Sequence, residues 1–333
     1  MTPAPPAASS RVIAPSESLS RFLRRVWQEQ AVAHHELAPD TVHDLRVALR
    51  RCRSLAEGFS EVDSHRDWRQ FRKAARRLQS GLTELRDAQV MADWVRRLGF
   101  TGGTAGAAVA ASLRHDEREA RRAARSALAD FPRRRWKRWR RRLPQRAGRL
   151  GASPASFAAF ASQRAGEAGA CERRWRKSGS RIAAHRLRIA VKRFRYTVES
   201  FLPEQYAAWG RNLKRMQDFL GEIHDLDVLR GRILQLAEQE LLPRKTLLTW
   251  LRRIESARKQ RVDRYRKIVS PRVMAAKRGK PAPVLWDRWR HELYVMGWIN
   301  PPKSAAASGS EANAVGLPAE TTSGPRGRRL PLS

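Results

Sequence analysis

Cysteine is nearly absent from the 333 residues: Cys52 and Cys171 are the only two, they form no CxxC pair, and both fall in helix-like sequence. That excludes a dense disulfide framework and makes a reducing compartment the expected setting. No window approaches the roughly 18 consecutive apolar residues that a membrane span needs. The opening residues, MTPAPPAASSRVIAPS, lack the basic start and apolar run of a secretory leader. A soluble, cytoplasmic protein with no transmembrane segment is the expectation. HExxH, GxxxxGK[ST] and GxGxxG are missing too, so the common signatures of zinc hydrolysis, phosphate cradling and dinucleotide binding are not there to read.

Negative charge is also scarce. Against 32 Asp plus Glu stand 68 Lys plus Arg, which gives a formal net charge of +36 and a sequence pI near 11.7. A compact state this basic repels itself, and the repulsion is best relieved by a polyanion whose binding releases condensed counterions. Hydrophobic residues make up 41%, enough to bury a real core.

Both ends are rich in Pro, Ala, Ser and Gly, which predicts disordered tails over 1–15 and 301–333. Between them strand signals are almost lacking, and long stretches rich in Arg, Ala, Leu and Glu carry apolar residues at helical spacing. The fold class is therefore all-α. Within 16–300, VHDLRVALRRCRSLAEGF (Val42 to Phe59) lies without a gap over AHRLRIAVKRFRYTVESF (Ala184 to Phe201), with His43, Arg46, Arg53, Glu57 and Phe59 recurring as His185, Arg188, Arg195, Glu199 and Phe201. A second block, RRLQSGLTELRDAQVM (Arg76 to Met91), lies over KRMQDFLGEIHDLDVL (Lys214 to Leu229) at a slightly different offset. Two matched blocks in one order predict duplicated halves, about 16–150 and 151–300, related by a pseudo-two-fold axis.

At about 100° per residue, His43, Arg46, Arg50 and Arg53 line one helix face, and Leu45, Leu49, Cys52, Ala56 and Phe59 line the opposite one. His185, Arg188, Lys192 and Arg195 repeat the stripe against Leu187, Val191, Phe194, Val198 and Phe201. A single such stripe is most simply the solvated face of an amphipathic helix. A solvated face has no need for His and cations in register twice, so duplication favours an anion site. Thr41-Val42-His43-Asp44 reads as a capping box that starts the first helix at Thr41 and puts His43 near its positive end. Arg72, Lys73, Arg76 and Arg77, then Arg211, Lys214 and Arg215, extend the basic track, and helices from about Ala107 to Leu128 and Leu247 to Ile268 add Arg114, Arg118, Arg121, Arg122 and Arg125, then Arg258, Arg261, Arg264 and Lys267, whose facing the spacing leaves open.

Two other segments are less specific. RRRWKRWRRR (Arg133 to Arg142) sets Trp136, Trp139 and Leu143 on one side of a basic helix, which suits a nucleic-acid arm, a membrane-surface helix, or plain Trp anchors packing a helix onto a bundle. His224-Asp225 followed by Asp227 suggests a metal phosphohydrolase. Its counterpart in the first half is Arg86-Asp87, and a cation in the ligand position argues against a metal. No metal or cofactor is expected.

The motifs HDLRVALRRCR, LRDAQV, HRLRIAVKRFRY and LGEIHDLDVL resemble the CHAD family, the conserved histidine α-helical domain, over about Ser16 to Trp298. The resemblance implies two helical bundles about a pseudo-two-fold axis around a basic central groove that binds inorganic polyphosphate, with association with polyphosphate granules. It assigns that binding to His43, Arg46, Arg50, Arg53, His185, Arg188, Lys192 and Arg195, and further to Lys73, Arg77, Lys214 and Arg215. The triphosphate-processing CYTH domain that often precedes such a domain has no ExExK-like counterpart here, so non-catalytic binding is the expectation. The alternatives are a basic nucleic-acid-binding protein and, after it, a polyphosphate-handling phosphotransferase or metal phosphohydrolase.

Overall fold

The computed structural model describes residues 14–269 and 285–299, and among these residues there are helices and short connections but no strand. Eleven helices follow in order: α1 (Pro15–His35), α2 (Pro39–Val62), α3 (Arg66–Gly81), α4 (Thr83–Arg97), α5 (Gly103–Ala129), α6 (Arg133–Arg149), α7 (Pro154–Ser178), α8 (Arg181–Phe201), α9 (Pro203–Glu238), α10 (Arg244–Val269) and α11 (Leu285–Ile299). The all-α reading holds. The tails assigned to 1–15 and 301–333 fall outside the described residues except at Ala14 and Pro15, where α1 begins.

Local chemistry sets the helix ends. Pro15, Pro39, Pro154 and Pro203 open α1, α2, α7 and α9, where the ring pre-sets φ and the missing N–H would have no intrahelical partner anyway. Pro39 also overrides the expected capping box. The helix begins two residues before Thr41, Ala38 is the N-cap without a side-chain bond, and the first turn closes from Val42 N–H to Ala38 O at 3.0 Å. His43 consequently sits in the second turn rather than at the amide-rich end. Gly179, with φ +61°, closes α7 and donates its N–H to Trp175 O at 2.8 Å. The next residue, Ser180, caps α8 by accepting from Ala183 N–H at 3.1 Å.

The apolar faces read from the repeat are the buried ones: Leu45, Leu49, Cys52, Ala56 and Phe59 on α2, and Leu187, Val191, Phe194, Val198 and Phe201 on α8. α2 packs against α1, α3 and α8, while α8 packs against α7, α9 and α2. One hydrophobic core runs through both halves of the chain. Its junction is aromatic: Phe157 stacks on Phe201 at 4.0 Å between ring centroids, and Phe59 meets Phe201 edge-on at 5.5 Å. Such pairs contribute roughly 0.5–1.5 kcal/mol each beyond their buried area. At Gly58 a Cβ would lie 2.3 Å from the Phe201 ring, so only glycine allows α2 and α8 to approach this closely. Ion pairs also cross between the halves, with Arg51 on Glu199 at 2.5 Å and Arg164 on Glu57 at 2.7 Å.

A second, smaller core joins α4 and the start of α5 to the end of α9 and the start of α10, with Phe100 stacked on Trp250 at 4.5 Å. α9, with 36 residues, contributes to both cores. At about 1.5 Å per residue it is roughly 54 Å long.

The packing of α6 decides between the readings of the RRRWKRWRRR segment. Trp136 and Trp139 are 0% and 1% exposed, pack with Phe71 and Phe131, and Trp136 donates its indole N–H to Leu23 O at 3.2 Å. The tryptophans anchor the helix, and most of its cations face out, while Arg140 lies over the Trp27 ring and Arg146 pairs with Asp63.

Candidate basic seam between α2 and α8

The two stripes meet because the apolar faces of α2 and α8 both turn inward and the helices touch, so the flanks that carry the cations come together. Arg50 reaches across and donates from Nη1 to the Tyr196 hydroxyl at 3.1 Å. Arg46 donates to Gln79 O at 3.1 Å and to Thr83 Oγ1 at 2.8 Å. Arg53 donates to Gln79 Oε1 at 2.7 Å, and Arg195, its counterpart in the repeat, donates to Gln217 Oε1 at 3.1 Å. Gln217 is itself the counterpart of Gln79, so the same hydrogen bond is built twice. These fork contacts fix the guanidinium groups while using only part of their donor capacity.

The electrostatics of the seam are unfavourable in isolation. Burial draws the pKa of Arg46 down to about 10; Asp87 opposes this, and Arg50, Arg86 and Arg188 add to it. Burial also lowers Arg188, against Asp225 and Asp87, and lowers Arg53, against Glu57. Lys192 is the extreme case. Burial, then Arg50, Arg188, Arg46 and Arg53, push its ammonium down to about 7. Arg195 goes the other way: burial works against its charge, but Glu199 and Tyr206 outweigh it and hold its pKa up.

The histidines share this environment. Burial and then Arg86 lower His43, while burial, Arg188 and Lys192 lower His185. His224 falls to about 4 through burial, Arg188, His185 and Lys192, and its Nδ1 lies 3.3 Å from Nδ1 of His185. The halves differ at this point: Arg86 acts on His43 where His224 touches His185. All three imidazoles are neutral at pH 7 and become donors on both nitrogens only when anionic charge arrives.

Two carboxylates in the seam, Asp87 and Asp225, belong to the matched Arg86-Asp87 and His224-Asp225 pairs, which the sequence offers as metal-ligand candidates and not as companions of the cation stripe. They act on each other and on Arg188, and burial raises both, Asp225 to about 6. The recurrence of Asp at matched positions in the second block is the one signal the sequence offers for that second role. Among the described residues no group of three or more His, Cys, Asp or Glu is placed to hold a metal ion.

The extension of the track is only partly brought in. On α3, Arg72 and Arg76 stand on the side toward Arg53. Lys73 and Arg77 instead line a separate cleft with Arg66, Arg135 and Arg138, and Arg77 pairs with Asp130 at 3.0 Å. On α9, Lys214 is exposed and pairs with Asp218 one turn on at 2.7 Å, and Arg215 is exposed. Of the α5 and α10 cations, Arg121 pairs with Glu117, Arg258 with Asp227 and Arg261 with Glu222.

Comparison with known proteins adds the family. The CHAD domain model matches residues 17–234, about two thirds of the chain. The crystal structure of the CHAD domain from the plant Ricinus communis is 24% identical and covers 87% of this chain and 96% of its own, with a TM-score of 0.54. PptA from Streptomyces chartreusis is 14% identical, covers 76% of this chain and 95% of its own, and also has a TM-score of 0.54. At these identities the two structures establish a shared fold and nothing finer. No curated protein matches. With an all-helical architecture, paired His-and-cation stripes and a family match over most of the folded residues, the chain belongs to the CHAD domain family.

Proposed function

We propose that this chain binds inorganic polyphosphate in the seam between α2 and α8 without transforming it, through His43, Arg46, Arg50 and Arg53 on one side and His185, Arg188, Lys192 and Arg195 on the other. The observation that carries the reading is Lys192, which lies where the two stripes meet and is driven to about 7 by burial and then by the surrounding Arg50, Arg188, Arg46 and Arg53. A chain with one charge on every repeating unit supplies counter-charge continuously. Arginine forks meet its oxygens in pairs, and lysine acts as a point charge. Membership of the CHAD domain family supports this reading, and association with polyphosphate granules is part of the proposal.

Nucleic acid fits the same seam less well. Tyr196 is the aromatic residue beside the cations, and it is buried with its hydroxyl held by Arg50, whereas single-strand binders interleave exposed stacking platforms. Catalysis has one feature to draw on, an amine at Lys192 that is partly unprotonated at pH 7. The bound polyanion raises that pKa again and removes the free amine as it arrives, while phosphoryl transfer needs a positioned metal or nucleophile besides positive charge.

The test is a competition titration of the purified protein with long-chain polyphosphate and with DNA or RNA at matched ionic strength. Polyphosphate is expected to displace single-stranded DNA or RNA from the seam at equal phosphate concentration, and in cells that hold granules a fluorescent fusion marks them, with the mark lost in the seam variants. Nucleic acid outcompeting polyphosphate, with seam variants keeping full polyphosphate affinity, overturns the reading.

A further inference from the structure

The outer face of α6 is a second charged surface that the seam does not explain. From Arg133 to Arg149 the helix carries no acidic residue. Arg134, Lys137, Arg138, Arg141 and Arg142 recur at helical spacing and are all exposed, while Trp136, Trp139, Leu143 and Ala147 take the buried face. Like charges one turn apart repel, so nothing in the packing of α6 calls for this composition. Arg24 of α1 joins the same cations around a cleft of about 750 Å³. Arg138 also lines the neighbouring cleft that holds Lys73 and Arg77, so the two basic clefts adjoin at this residue. Carboxylates near this surface are sparse and engaged: Asp63 with Arg146 near the end of α6, Asp130 with Arg77, and Asp67 at 3.9 Å from Arg138.

We infer that this face of α6 is a separate binding site for the phosphate backbone of double-stranded nucleic acid, without sequence preference. Three observations select that ligand. A membrane-surface helix buries its apolar side chains in the bilayer, but those of α6 are already consumed by the protein core. A single-strand site needs exposed rings for stacking, and the tryptophans of α6 are the buried ones. Cations spread along an exposed helix about 25 Å long suit a broad partner whose charges lie along its outside, at about one per 1.7 Å of duplex axis. A thin polyphosphate chain is better met where cations converge from two sides, as they do between α2 and α8. The protein then carries two polyanion sites of different shape and can hold a polyphosphate chain and a duplex together.

The test uses the full chain with Arg134→Glu, Lys137→Glu and Arg141→Glu together, and a milder triple variant with Gln at the same positions. All three side chains are exposed, and circular dichroism with thermal melting confirms the fold. Fluorescence anisotropy is read with a labelled random-sequence duplex and, separately, with long-chain polyphosphate, at several salt concentrations. Duplex affinity is expected to fall at least tenfold in the Glu variant and less in the Gln variant. The log–log salt slope should become shallower by about 3, one for each phosphate that no longer meets a cation. Polyphosphate affinity changes less than threefold in both. Unchanged duplex binding overturns the inference. So does a matching loss of polyphosphate affinity, which makes α6 an extension of the polyphosphate track, and so does a loss confined to anionic phospholipid vesicles. Failure of the seam reading shows up elsewhere, as retained polyphosphate binding in Arg46→Glu with Arg50→Glu.

Discussion

Replacing Lys192 by Met should make the folded protein more stable and a poorer polyanion binder at the same time. Burial and four neighbouring arginines move the ammonium from 10.5 to about 7. At about 1.4 kcal/mol per tenfold change in proton affinity, holding it charged costs at most about 5 kcal/mol. Lys192 is not fully enclosed, and relaxation with water access brings the expected gain to about 1–3 kcal/mol. The sign follows from proton linkage. Between pH 7 and 10.5 the unfolded chain holds a proton that the folded chain has released, so wild-type stability rises with pH across that window. The penalty is therefore full below pH 7, and the advantage of Lys192→Met shrinks to nothing by about pH 10.5. Thermal unfolding from pH 6 to 10, with and without polyphosphate, reads both effects. At pH 6 the variant melts higher, by about 1.5–2 °C per kcal/mol for a chain of this length, and polyphosphate raises its melting temperature less than it raises that of the wild type. A variant less stable at pH 6, or a gain that does not change with pH, refutes the account of a buried cation among like charges.

Charge reversal of Arg46 and Arg50 to Glu should weaken polyphosphate binding about as much as reversal of Arg188 and Lys192, measured by anisotropy on variants shown to fold by circular dichroism; loss from one pair only makes the other a solvated face. Raising salt from 50 to 200 mM should weaken polyphosphate binding steeply, on the order of a thousandfold for a site that neutralises about six phosphates, and a flat salt profile contradicts a phosphate-binding seam. Binding at pH 8 should take up protons, because the anion restores Lys192 from about 7 and raises the lowered histidines. Calorimetry in buffers of different ionisation heat measures this, and apparent affinity should grow as pH falls from 9 to 6. Incubation with polyphosphate or nucleotides should release no phosphate, and metal-dependent release that disappears in His224→Ala reverses the non-catalytic reading.

The stripes on α2 and α8 are legible in the sequence because two independent signals agree: helical periodicity puts His and cations opposite a clean apolar face, and the duplication repeats that arrangement in register. Facing is harder to read on α3. Its buried residues are Trp68, Phe71, Ala75 and Leu78, and cations occupy both Arg72 with Arg76 and Lys73 with Arg77. Matching the halves by position is blind to which pair turns toward α2, a choice made by the packing partners. The start of α2 differs from the sequence expectation because proline at the first helical position competes with a side-chain cap, and Pro39 prevails over Thr41. Asp225, with Asp87 as its counterpart, is read from the sequence as a metal-ligand candidate, because a stripe of cations gives no reason to place acids among them, although acidic residues help to hold a cation cluster together before its ligand arrives.

The aromatic junction between the halves sets a timetable for synthesis. Phe59 and Gly58 leave the ribosome about 140 residues before Phe201, the ring they fit against. At roughly 5–20 residues per second that interval lasts about 7–28 s. Throughout it the first half has α2 without its partner helix, with an uncovered aromatic edge beside a row of arginines. The core cannot begin to close between the halves until α8 emerges, and its α9 and α11 residues follow later still, so the nascent chain spends many seconds in a state open to chaperones and to capture by polyanions.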